Sequence, residues 1–115
     1  MTQTLGTHKK KFLFSCRGVV PQVKLPAVAK NIINFIGMSA ARPGRIDAYP
    51  YENGGGIGYT GFFPLKESYI IMDAYSDLNE TEVLISTCVP DRMDPELVSV
   101  YLSKLIGPTI YRGSL

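Results

Sequence analysis

The chain has 115 residues, 45% hydrophobic and 19% charged, with a formal net charge of +2. That composition suits one globular domain with its own core and carries no basic excess that would argue for nucleic acid. The two cysteines, Cys16 and Cys88, stand far apart, and with His8 as the single histidine they form no zinc-ligand pattern.

No apolar run approaches the ~18 residues of a membrane span, and the first residues lack the charged-then-apolar pattern of a signal peptide. The expectation is a cytoplasmic protein with reduced thiols. Residues 1–10 read as a polar arm, and Lys9-Lys10-Lys11 as its solvated end. Phe12 to Cys16 is a short apolar run of strand length, stopped by Arg17-Gly18. Residues 24–36 place Leu25, Val28, Ile32, Phe35 and Ile36 on one helical stripe, with Pro26 in the first turn and Gly37 as the C-terminal cap.

After a loop from Met38 to Gly44, Arg45 to Tyr49 reads as a strand. Glu52-Asn53-Gly54-Gly55-Gly56 reads as a hairpin tip; it lacks the Gly-Lys-Ser/Thr of a phosphate-cradling loop and no helix follows it. Ile57 to Phe63 is a strand that Pro64-Leu65-Lys66 is expected to interrupt. Tyr69 to Tyr75 and Glu82 to Thr87 form an antiparallel pair around the turn Ser76 to Asn79. A second helix has Asp94 as N-cap, Pro95 in its first turn and Glu96 at the positive end of its dipole. Leu97, Val98, Tyr101, Leu102 and Leu105 make its apolar stripe before Gly107-Pro108 ends it, and a short strand at Thr109 to Tyr111 is expected to follow. The order β-α-β-β-β-β-α predicts an α+β fold, one domain over 1–115, with two helices on one face of a mostly antiparallel sheet. The other face then needs cover, and a second copy would supply it, so a homo-oligomer, most simply a dimer, is expected.

The chemistry-bearing residues cluster between Gly58 and Cys88. Gly58-Tyr59-Thr60-Gly61 is followed by Glu67-Ser68-Tyr69, then Asp73-Ala74-Tyr75-Ser76-Asp77, then Thr87-Cys88-Val89. Taken singly, Ser68 reads as a turn hydroxyl, Cys88 as a small buried apolar residue, and Asp77 as turn chemistry. No Ser-His-Asp or Cys-His triad can be assembled, because the one histidine is in the arm. In register, however, these four segments resemble the small prokaryotic S-adenosylmethionine decarboxylases, which carry Gly-x-Ser-Gly, Glu-Ser-His, His-x-Trp-Pro-Glu and Thr-Cys-Gly. Asp94-Pro95 echoes that family's helix start, and His8 with Cys16 its opening strand.

The resemblance implies the family's α+β sandwich and a self-made cofactor. Ser68 would attack the Glu67 carbonyl, the chain would break there, and residue 68 would become a pyruvoyl group with no metal involved. Such a carbonyl accepts the electron pair released with carbon dioxide, chemistry that ordinary side chains lack. The resemblance assigns reprotonation to Cys88, polarisation of the scissile carbonyl to Thr60, and help with elimination to Asp73. Glu67 and Asp77 fall where the family contacts its substrate. Asp73 stands where the family has histidine, and a carboxylate is ordinarily the weaker base by roughly 2.6 pKa units. Tyr69 replaces a second histidine, directly after the serine. The implied function is decarboxylation of S-adenosylmethionine in polyamine (spermidine) biosynthesis, with no nucleic acid or membrane partner. Two alternatives stand beside it: the same chemistry on another amine, or an unprocessed, inactive homologue acting as a ligand-binding or regulatory partner.

Overall fold

A computed structural model describes residues 10–52 and 55–114. Along them run β1 (Lys10–Arg17), α1 (Leu25–Phe35), β2 (Arg45–Pro50), β3 (Ile57–Leu65), β4 (Ser68–Tyr75), β5 (Glu80–Thr87), α2 (Pro95–Leu105) and β6 (Thr109–Ser114). Single 3₁₀ turns at Gln22–Lys24 and Pro90–Arg92 lead into the two helices. The predicted arm through residue 9, His8 included, and Asn53-Gly54 of the predicted hairpin tip lie outside the described residues.

The strands form one sheet in the order β2-β3-β4-β5-β1-β6. Every pairing in it is antiparallel. The fold is therefore α+β, as the element order implies. Burial along β4 alternates strictly, which is the period of a pleated strand with one covered face. Ile70 and Met72 of β4, Phe12 and Phe14 of β1, and Val83 and Ile85 of β5 meet Leu25, Ala29 and Ile32 of α1 and Val98 and Leu102 of α2 in one core. Both helices thus cover the same face, and the Phe35 and Tyr101 rings stack between them at 4.1 Å.

The caps explain where the helices stop. Asp94 accepts hydrogen bonds from the N–H groups of Glu96 (3.0 Å) and Leu97 (3.4 Å). At the end of α1, Gly37 N–H donates to Asn34 O and Met38 N–H to Ile33 O. This paired arrangement needs a left-handed residue, and Gly37 has φ +72°.

Three expectations need correction. Lys10 and Lys11 belong to β1, paired with Thr87 and Ser86, so the strand begins inside the predicted arm. The order β-α-β-β-β-β-α lacks the edge strand β6, which follows α2 and contains the short strand expected at Thr109 to Tyr111. Finally, Pro64 does not interrupt β3. It pairs with Tyr69, and its carbonyl accepts from Ala41 N–H at 3.0 Å. β2 ends opposite Phe62, so no strand bond on that side requires the N–H that proline lacks.

The Asp94 cap supplies a stability test. Asp94→Ala is expected to cost about 1 kcal/mol, the usual worth of an N-cap side chain. Urea unfolding should show a lower midpoint with an unchanged slope.

Candidate functional site

The β3–β4 connection is a two-residue turn, Lys66-Glu67, closed by the pair Leu65 and Ser68. Glu67 has φ +64°. A side chain in the left-handed region costs roughly 1–2 kcal/mol, and glycine would ordinarily stand there. The strained residue is therefore the one whose carbonyl carbon joins Ser68. Ser68 opens β4 with its side chain toward the helix-covered face, 8% exposed. Its Oγ accepts a hydrogen bond from the backbone N–H of Cys88 at 3.3 Å. The Cys88 thiol in turn reaches Glu67 Oε2 at 4.0 Å, the outer limit for a sulfur hydrogen bond. Glu67, Ser68 and Cys88 thus come together because β4 begins and β5 ends at the same rim of the sheet.

Thr60 and Asp73 also meet, but elsewhere. They pair directly across β3 and β4, and the Thr60 hydroxyl donates to Asp73 Oδ1 at 2.6 Å. Asp73 follows Ser68 by five positions along β4, about 16 Å at ~3.3 Å per residue. An odd separation also puts it on the opposite face. Within one chain, then, Thr60 does not lie at the Glu67 carbonyl and Asp73 does not lie at Ser68. Asp77 lies exposed in the turn beyond β4, at the far end of that strand from Glu67. The two carboxylates expected to contact substrate are therefore not neighbours in one chain either.

The open face is ordered in rows by the register. Phe62, Ile71, Leu84 and Leu13 form an apolar row, and Phe62 is 41% exposed. The next row is Thr60, Asp73, Glu82 and Ser15, and the one after it includes Tyr75, Glu80 and Arg17. Asp73 and Glu82 are like charges directly opposite each other, an unfavourable cross-strand pair. Burial, then the charges of Asp73 and Glu80, push the Glu82 carboxyl up from its ordinary range, while Arg112 opposes them. Burial first, then Asp73 and Glu82, push the Tyr75 phenol up to about 12. The Arg112 guanidinium is held beside them by donating from Nε to Ser15 Oγ at 3.1 Å.

Glu82, Tyr75 and Arg112 escape sequence reasoning as a group. The alternation of Asp73 with Tyr75 and of Glu80 with Glu82 signals a shared face on each strand. Joining the two pairs requires the β4–β5 register. Cys16, by contrast, is fully buried in the core, accepts from the Thr109 hydroxyl at 3.4 Å, and has its thiol pushed up by burial. It is a structural residue. Among the described residues, no group of three or more His, Cys, Asp and Glu could hold a metal ion, and no helix is long and apolar enough to cross a membrane.

No protein-family model matches the chain, and no curated protein matches it.

Two predictions follow from this geometry. A glutamate whose folded pKa is raised binds more protons folded than unfolded, so its contribution to stability falls as pH rises from the ordinary range through the folded value. Glu82→Gln should therefore stabilise the protein at pH 7, and the gain should shrink toward pH 4; melting temperatures across that range would show it. Glu67→Gly should relieve the turn, for a net gain of roughly 0.5 kcal/mol once the extra unfolded-state freedom of glycine is subtracted. Equilibrium unfolding would measure that gain.

Proposed function

We propose that the chain cleaves itself between Glu67 and Ser68 to form a pyruvoyl-dependent decarboxylase. Its substrate is an amine, S-adenosylmethionine first, and its setting is cytoplasmic spermidine synthesis. The observation that carries this proposal is the strained Glu67 placed directly before a buried Ser68 whose Oγ is bonded to Cys88 N–H. Attack of Ser68 Oγ on the Glu67 carbonyl carbon exchanges an amide for an ester and releases the Glu67–Ser68 bond from its fixed turn. Loss of the Ser68 Cα proton with cleavage of the Cβ–O bond leaves Glu67 as a free carboxylate. Water then displaces the residue 68 nitrogen as ammonia. The resulting carbonyl supplies the electron sink for decarboxylation. Cys88, whose thiol stands beside Glu67 at the same rim, is the proton donor to the product.

The same proposal needs a second copy. A homodimer packed through the open face covers the apolar row of Phe62, Ile71, Leu84 and Leu13. With its two-fold axis running across the strands above that row, one copy is turned end for end over the other. Thr60, Asp73 and Asp77 of one chain then approach the Glu67–Ser68 rim of its partner. The specific sandwich of the decarboxylase family belongs to this proposal too.

A different function is favoured by one contact. The Thr60 hydroxyl, needed at a carbonyl, is already donated to Asp73, which stands where the family has histidine. A chain held in that state would remain uncut and serve as a ligand-binding or regulatory partner.

Intact mass separates the two. Processing should give two fragments divided at Glu67/Ser68, the second blocked at its start, and Ser68→Ala should abolish them. A single 12.7 kDa species after long incubation would overturn the enzyme and leave the unprocessed partner. Where cleavage occurs, Asp73→Asn alone should slow it by about 10²-fold or more, the usual worth of a placed acid or base. Co-expression with Ser68→Ala chains, which keep Asp73, should restore cleavage of the Asp73→Asn chains. Failure of that rescue would refute the crossed dimer.

A further inference from the structure

A cavity of about 600 Å³ opens between α1, the segment 38–44 and the end of β3, on the helix-covered side of the sheet. Its volume is that of a small-molecule site. Neither Glu67, Ser68 nor Cys88 lines it. Ala29, Ile33, Met38 and Phe63 give it an apolar lining, and Lys30 and Arg42 bring two positive charges to it. Among the described residues, no acidic side chain lines the cavity. Among the described residues, the ion pair found is Arg45 with Asp47, and neither Lys30 nor Arg42 has a carboxylate partner.

The walls are built in advance. Met38 N–H donates to Ile33 O, Ala41 N–H to Pro64 O, and Lys66 N–H to Ser39 O, each within 3.1 Å. The segment is thereby bonded to α1 at one end and to the sheet at the other. Phe63 is fixed as firmly: a Cβ at Gly44 would stand 2.2 Å from its ring, so the ring is pressed against the backbone of that segment. A preformed apolar groove with unpaired cations at an exposed rim suits a molecule with an apolar tail and one anionic head. The tail removes apolar surface from water, and the head meets the charges of Lys30 and Arg42.

We infer that this groove binds single-headed anionic amphiphiles of medium chain length, with the tail against Ile33, Met38 and Phe63 and the head between Lys30 and Arg42. The site is separate from the Glu67–Ser68 rim and holds whether or not the chain cleaves itself.

The probe is decanoate, titrated below its micellar range into the intact isotopically labelled protein and followed by NMR. Saturable shifts should centre on Ala29, Ile33, Met38 and Phe63. Decyltrimethylammonium, with the same tail and opposite charge, should bind at least about fivefold more weakly. The double change Lys30→Glu and Arg42→Glu should weaken decanoate by at least about fivefold as well, the upper range for an exposed ion pair. Ala40→Trp, at an exposed lining position, should block the groove, and an unchanged far-UV spectrum would show that the fold survives. Shifts confined to the open-face residues Phe62, Ile71 and Leu84, or no saturation, would overturn the site. Equal binding of the two amphiphiles, or no effect of the charge reversal, would overturn the anionic preference.

Discussion

The register between β3 and β4 is the constraint on which the rest of this structure depends. It is set by a two-residue turn that tolerates a glutamate at φ +64°. Because successive strand side chains face opposite ways, a slip of one residue would carry Ile70 and Met72 out of the core and Asp73 into it. Burying an unpaired carboxylate costs far more than the turn strain, which is of the order of 1–2 kcal/mol. The core therefore holds the turn in its strained form. Ser68 inherits its covered position from this, and Asp73 its open one.

That constraint divides the reactive residues into two groups. At one rim, the start of β4 and the end of β5 bring Glu67, Ser68 and Cys88 together. Toward the other rim, the Thr60–Asp73 bond, Glu82 and Tyr75 form a half-buried acidic row that is costly while it stays ionised. Tolerance of such a row is a common mark of a site kept for use rather than for stability. Within the proposed function, one chain supplies the bond to be cut and the proton donor, and its copy supplies the carboxylates and the Thr60 hydroxyl. The apolar row on the open face lies between the two groups, where a face-to-face contact would need it.

The helix-covered side has a different logic. There the segment 38–44 is bonded to both α1 and β3, and its backbone presses on Phe63. A groove remains where α1, this segment and the end of β3 meet. Its cations distinguish it from the open face, where carboxylates predominate in the central rows.

Much of the architecture is legible in the residues alone, because local signals act over a few positions. The strand-type run Tyr69 to Tyr75, the Asp94-Pro95 start and the Gly37 stop each mark an element without help from distant parts of the chain. Pro64 misleads for the same reason: its missing N–H matters only if a neighbouring strand requires it, and β2 has already ended. Lys10 and Lys11 mislead because pairing with β5, not their own polarity, makes them strand. For the candidate site, the residue types and their spacing follow from the sequence, including the nearness of Ser68 to the end of β5. Which of them meet does not. Five positions along a strand mean about 16 Å and a change of face, so Thr60 and Asp73 find each other across the ladder instead of Ser68. The sequence by itself determined the elements, the α+β class and the inventory of reactive groups. Only the tertiary structure decided their partition, because strand register, a long-range property, assigns every side chain its face and its neighbour.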